Sequence, residues 1–304
     1  MSHPPDLFHG FKSRTLKTRD AEIFMRLGGE GPPLLMLHGY PQTHHAWHRI
    51  APALAEHFSL VIADLRGYGQ SSCPPSDTNH FAYSKRAMGN DMVEIMDQLG
   101  HACFSLLGHD RGARVAYRMA FDYCEKIERL AILDILPTYS MWQTMNHGLA
   151  MSAYHWPFLA QPHPMPETLI GKAPEYYVEY TLASWTLAKD LSIFDETALG
   201  HYRALLTCED RLHGACEDYR AGETFDRLTD EADLKAGRKI ACPTLVLWGT
   251  DYVAKRAGDP LKVWREWCTD VQGAPIVSGH FLAEENPQET LDHILPFLQN
   301  QSLS

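Results

Sequence analysis

Short apolar runs recur along the chain at Leu34–Leu37, Leu60–Ala63, Phe104–Leu107, Leu130–Leu133, Leu245–Trp248 and Ala274–Val277. Most are continuous rather than alternating, the pattern of strands buried on both faces of a parallel sheet. Helical periodicity covers 84–99 and 111–124. Strand–helix alternation of this kind predicts a mostly parallel sheet with helices on both faces. The segment 14–27 predicts an antiparallel hairpin on the sheet edge. The strand signal then stops at Pro137 and resumes at Pro243. The stretch between is rich in Trp, Tyr, His and Met, with helical patterns around 176–189 and 196–206. It predicts an all-helical cap inserted after the strand that ends at Ile135. The expected division is a core of 1–137 and 241–304 with a cap of 138–240.

A length of 304 residues suits one large α/β domain carrying such an insertion. No apolar run reaches the eighteen or so residues of a membrane span, so no membrane role is expected. The start, Met1-Ser2-His3-Pro4-Pro5, has neither a basic nor an apolar region of the kind a secretory signal needs. Seven cysteines without CxxC pairs point to free thiols in a reducing cytoplasm. A formal charge of -11 argues against nucleic acid as a partner. It leaves room for a small anionic substrate, which responds to the charge inside a cleft rather than to the total.

The candidate chemistry centres on Gly108-His109-Asp110-Arg111-Gly112. This is the G-x-Nuc-x-G frame of a nucleophile elbow, and it lies between a predicted strand and a predicted helix, where such a frame has meaning. Aspartate stands at the nucleophile position. A carboxylate is ionised at neutral pH, with a reference pKa of about 3.9. It attacks carbon without a base and leaves an ester. Hydrolysing that ester needs a histidine, an acid to orient it, and donors for an oxyanion. His280, just after the last predicted strand, is the expected base. Asp134 and Asp251 are both candidate acids, each following a strand. Asp134 is favoured, because a carboxylate set between Leu133 and Ile135 is costly without a partner. The backbone N–H groups of Tyr40, in His38-Gly39-Tyr40-Pro41, and of Arg111 are the expected oxyanion donors. His38, Asp64, Arg66 and Gly67 read as structural.

Arg111 and Arg114 lie three apart at the start of the elbow helix and can share a face. A helix N-terminus disfavours cations, so a guanidinium pair there calls for anions. Asp110 is one, and a substrate carboxylate would be another. A pairing with structural acids is the alternative. Histidines and carboxylates show no ligand spacing, so neither a metal nor an organic cofactor is expected.

These motifs, together with Asp64-Leu65-Arg66-Gly67-Tyr68-Gly69, Tyr154-His155-Trp156 and Gly279-His280-Phe281, make a pattern over nearly the whole chain. It resembles the fluoroacetate dehalogenases, haloacetate-hydrolysing members of the α/β-hydrolase superfamily. The resemblance implies SN2 attack by Asp110 on the halogen-bearing carbon. It implies carboxylate binding by Arg111 and Arg114, and ester hydrolysis by His280 oriented by Asp134. It further implies a halide pocket of His155, Trp156 and Tyr219, with Trp185 beside it, and a homodimer. The chain departs from the pattern at Tyr40, where phenylalanine is usual, and at Asp251. An epoxide hydrolase is the nearest rival, since it uses the same nucleophile. Such enzymes generally carry tryptophan after the nucleophile, and this chain has Arg111. A non-catalytic receptor on the same fold would have no need to keep nucleophile, base and acid together.

Overall fold

The computed structural model describes residues 5–251 and 258–300; the first four residues of the chain start lie outside that range. Eight strands form one sheet in the order β1-β2-β4-β3-β5-β6-β7-β8. They are β1 (Lys12–Lys17), β2 (Glu22–Gly28), β3 (Pro33–Leu37), β4 (Ser59–Ala63), β5 (Phe104–His109), β6 (Ile127–Leu133), β7 (Thr244–Gly249) and β8 (Val271–Ile276). β1 and β2 form the expected antiparallel edge hairpin, and β2 also runs antiparallel to β4. From β4 to β8 all pairings are parallel.

The apolar runs divide their residues between two cores, because successive strand side chains face opposite ways. Leu35, Leu37, Leu106, Leu130 and Ile132 pack on one face. There they meet Met88, Met92 and Ile95 of α2 (Lys85–Gln98) and Val115, Ala116 and Met119 of α3 (Asp110–Asp122). Leu34, Met36, Leu107, Ala131 and Leu133 pack on the other. Their partners include Leu54 of α1 (Ala51–Ala55) and Ile294 and Phe297 near the C-terminus.

β8 begins three residues before the predicted run and leaves Val277 outside it. This strand is the sheet edge, so Gln272 and Gly273 need no apolar side chains, and Pro275 is tolerated where no further strand asks for its missing N–H.

Between β6 and β7 the regular elements are all helices: α4 (Thr138–Gln143), α5 (His147–Ser152), α6 (His155–Leu159), α7 (Met165–Ile170), α8 (Pro174–Trp185), α9 (Glu196–Thr207), α10 (Glu209–Ala221), a π-helical turn (Gly222–Asp226) and α11 (Arg227–Lys235). This is the inserted all-helical cap. The pattern over 176–189 overran the end of α8, which stops at Trp185. The Trp185 carbonyl there accepts the N–H of His280 at 2.9 Å. A helix continued through 189 would use that carbonyl for itself.

The chain reverses direction across the sheet around β3. Ligands in such sheets bind beyond the carboxyl ends of the strands that flank the reversal. Tyr40 follows β3 and Asp110 follows β5, so the topology brings these two loops together.

Candidate active site

Asp110 sits at the junction of β5 and α3 with a φ of 45°. A non-glycine residue in the left-handed region costs free energy and persists only where its surroundings enforce it. Close packing does so here. A Cβ on Gly108 would come within 2.5 Å of the Ala113 Cα, and one on Gly112 within 2.2 Å of the Leu37 carbonyl oxygen. The bend therefore needs both glycines of the motif, and the Asp110 side chain projects from its tip. The Tyr40 N–H donates to Asp110 Oδ1 at 2.8 Å. A Cβ on Gly39 would stand 2.6 Å from Asp110 Oδ1 and 2.9 Å from the backbone nitrogen of Arg111, so the second expected oxyanion donor also lies near the Asp110 carboxylate.

His280 Nδ1 lies 2.5 Å from Asp134 Oδ2, and the Gly249 N–H donates to Asp134 Oδ1 at 3.0 Å. Its Nε2 is 3.8 Å from Asp110 Oδ2. The three side chains are buried. Asp251 instead meets Lys189 at 2.7 Å, with the lysine well exposed. Of the two candidate acids, Asp134 is the one in hydrogen-bonding contact with the histidine. Asp134→Asn is therefore expected to cut kcat by about 10³–10⁴-fold through loss of imidazole orientation and imidazolium stabilisation. Asp251→Asn, which breaks a pair to a solvent-screened lysine at the surface, should leave kcat near that of the parent. Steady-state kinetics on the two variants compare them directly.

Burial pushes the Asp110 carboxyl upward, but His280, His109 and the guanidinium groups of Arg111 and Arg114 outweigh it and hold it below the usual carboxylate range. The Asp110 carboxyl is thus ionised at neutral pH. Burial pushes Asp134 above its usual range, opposed by the His280 contact and the Gly249 N–H. His109, beside His280, is driven down to about 3 by burial and donates through Nε2 to the His280 carbonyl at 2.8 Å. It braces the loop that carries the base.

The two arginines differ. Arg111 donates through Nε and Nη2 to both carboxylate oxygens of Asp218, at 2.9 and 2.6 Å. Asp218 is also held by Lys85 and by the Tyr68 hydroxyl. The alternative, pairing with a structural acid, is thus realised for most of its guanidinium, with Asp218 as the partner; Nη1 has no hydrogen-bond partner among the described residues. Arg114 donates from Nη1 to the Leu136 carbonyl at 2.9 Å and to Thr138 Oγ1 at 3.1 Å. Among the described residues no carboxylate lies within ion-pair distance of it. Its guanidinium carbon stands 4.4 Å from the Trp156 ring centroid, and that of Arg111 4.2 Å from the Tyr219 ring. Burial and the nearby Arg111 charge depress the Arg114 pKa, the signature of a buried cation short of negative charge.

The cap aromatics close over these groups. The ring of Tyr219 is 5.6 Å from His155 and 6.2 Å from Trp156. Trp185 is 4.4 Å from His155 and 5.3 Å from His280. The Tyr40 ring stacks parallel to His155 at 6.3 Å and meets Tyr219 edge-on at 5.4 Å. All are buried. Burial drives His155 down to about 3, so it is neutral, and its Nδ1 has no hydrogen-bond partner among the described residues. His38, Asp64 and Arg66 are structural, as expected: His38 accepts the Leu65 N–H, Asp64 accepts the His44 and Gln70 N–H groups, and Arg66 pairs with Asp91 at 2.6 Å.

Two contributors escaped the sequence reading. Asp218 is the anchor of Arg111, and its position next to Tyr219 was the only local signal. Glu284 lies buried four residues after His280 and takes hydrogen bonds from Gln42 of the Tyr40 loop and from Tyr202 of the cap. Burial pushes it up to about 8. It ties cap, oxyanion loop and histidine loop together.

Comparison with known proteins agrees with this geometry. The family model for the alpha/beta hydrolase fold matches 32–157. A fluoroacetate dehalogenase from Burkholderia sp is 40% identical over 97% of this chain and 96% of its own. A soluble epoxide hydrolase from Corynebacterium sp. (strain C12) is 30% identical over 88% of this chain and 91% of its own. A crystal structure described as an α/β hydrolase from Nostoc sp PCC 7120 superposes with a TM-score of 0.92 at 48% identity, covering 95% of this chain and 98% of that one. An elbow with Asp110 at its tip, a histidine and a carboxylate in contact on later strand ends, and a relative alike from end to end together establish that this chain belongs to the α/β-hydrolase family.

Proposed function

We propose that the protein is a hydrolytic dehalogenase of small 2-haloacids such as fluoroacetate or chloroacetate, yielding glycolate and halide. The observation that carries this reading is Arg114, a buried guanidinium beside the nucleophile with no carboxylate partner among the described residues. Leaving a cation buried and uncompensated is costly, and a substrate carboxylate would relieve it. Arg111, held by Asp218, would add its remaining Nη1.

The geometry supports a division of labour between the two Asp110 oxygens. Oδ1 accepts the Tyr40 N–H, while Oδ2 faces His280. Oδ2 attacks C2 of the haloacid, and the carbon–halogen bond breaks as the ester C–O bond forms. His155, Trp156 and Tyr219 offer N–H and O–H donors to the departing halide. Those donors matter most for fluoride, whose hydration must be replaced as its charge develops. His280 Nε2 then takes a proton from water, which attacks the Asp110 carbonyl carbon. The oxyanion forms at Oδ1, where the Tyr40 and Arg111 N–H groups hold it. Its collapse breaks the Cγ–Oδ2 bond; the alkoxide leaves as glycolate on taking the proton held by His280, and loss of the remaining acid proton to solvent restores the carboxylate.

A second reading, epoxide hydrolysis, is favoured by the Corynebacterium relative and by the buried phenols of Tyr40 and Tyr219. Halide release from fluoroacetate and chloroacetate, measured beside a neutral chloroalkane and styrene oxide, separates the two. Turnover confined to the acids is expected, and turnover of the epoxide alone would overturn the proposal.

Arg114→Leu is expected to raise KM for haloacetates by roughly 10- to 150-fold, the loss of one charge-assisted contact of about 1.5–3 kcal/mol. Because the wild-type cation lacks a balancing carboxylate, thermal stability should hold or rise. A fall in melting temperature with unchanged KM would make Arg114 a structural residue.

A further inference from the structure

We infer that the cap carries a surface site for a zinc-like divalent ion, formed by His163, Glu167 and His213 on the outer side of α7 and α10. Glu167 Oε1 is 3.3 Å from His163 Nδ1 and 3.1 Å from His213 Nδ1, and the three ligand atoms lie within 4.8 Å of one another. Zinc bonds of about 2.0–2.1 Å at tetrahedral angles place donor atoms roughly 3.4 Å apart. Both histidine–carboxylate edges are near that separation. The remaining histidine–histidine edge closes by ring rotation, and His163 and His213 are exposed enough, at 61% and 31%, to rotate and to admit an ion from solvent.

The surroundings fit a ligand set rather than a chance meeting. His213 Nε2 lies 3.1 Å from Ser76 Oγ. Donation of the far ring N–H to an oxygen is the usual way of fixing the tautomer that leaves the near nitrogen able to bind metal. Arg220 donates to Glu167 Oε1 and Oε2 at 2.8 and 2.9 Å, which holds the carboxylate in place and leaves Oε1 a second lone pair. That guanidinium opposes a cation. Glu217, which also accepts from Arg220 at 2.8 Å, balances it, and Glu209 and Asp210 line the same groove. Two imidazoles and one carboxylate select a borderline ion such as Zn²⁺ over Mg²⁺ or Ca²⁺. His163 and Glu167 are four apart in sequence, but the third ligand comes from a different helix, so only the folded cap assembles the set. The ion would pin α7 to α10, the helix that also carries Asp218 and Tyr219.

The test is zinc titration of chelator-treated, full-length protein against a chromophoric competitor. One ion per chain is expected. His163→Ala and His213→Ala should each weaken binding by about tenfold or more, and zinc should raise the melting temperature of the parent but not of the double variant. Substituting Glu167 is avoided, since it would also strand Arg220. Absence of zinc uptake by the parent, or equal affinity in parent and either single variant, overturns the site. The double variant keeps every cysteine and the remaining histidines, so binding that survives in it belongs to other ligands and counts against the proposal.

Discussion

Replacing Asp110 with alanine is expected to abolish dehalogenation, with kcat lowered by about 10⁴-fold or more, the scale of losing a covalent nucleophile. The reason is positional. No other carboxylate among those described shares the tip of the elbow, and Asp134, the acid beside His280, is committed to that histidine and the Gly249 N–H. Alanine is also less tolerant than aspartate of a φ of 45°. Asp110→Asn is the matched control, since asparagine keeps both the shape and the backbone tolerance. Both variants should fold, as judged by circular dichroism and melting temperature, and both should be inactive. Substantial halide release from either one removes Asp110 from the nucleophile role. An isotope experiment reads the same step in the native enzyme. In a single turnover with excess enzyme in heavy-oxygen water, the new hydroxyl oxygen of glycolate should come from Asp110 rather than from solvent.

His280→Asn should split the reaction in two. The first displacement needs only the ionised Asp110, so one equivalent of halide should be released rapidly. The ester should then persist, because removing a general base slows proton transfer by about 10²–10⁴-fold. Mass spectrometry of the intact variant should show a gain of one carboxymethyl group, and peptide mapping should place it on Asp110. The His280 imidazole is within 3.8 Å of Asp110 Oδ2 but forms its short contact with Asp134. Its loss therefore removes the base, while the Tyr40 N–H, His109 and the guanidinium groups of Arg111 and Arg114 still favour an ionised Asp110. Unmodified enzyme after exposure to substrate, in a variant that folds, would show that His280 acts before the ester forms.

Much of the site was readable in one dimension because it sits on strand ends. A run of apolar residues followed by Gly-x-Asp-x-Gly reports both a buried strand and the sharp bend beyond it. The same logic marks Tyr40 after β3 and His280 after β8. Asp134 was favoured over Asp251 on one local argument, that a carboxylate among aliphatics needs a partner. Its contact with His280 agrees with that argument. The arginine pair was harder. Helical spacing put Arg111 and Arg114 on one face, but which would be neutralised depended on Asp218, more than a hundred positions away on α10.

The sequence alone determined the sheet, the elbow and the order of nucleophile, acid and histidine, since burial periodicity and turn chemistry act over neighbouring residues. It also marked the cap, through the loss of strand runs and the concentration of aromatic residues. What only the tertiary structure decided was pairing: Arg111 with Asp218, Glu284 with Gln42 and Tyr202, and His213 with Glu167. Each joins groups from elements remote along the chain, and their ion pairing and hydrogen bonding depend on separations of a few ångströms that no local pattern encodes.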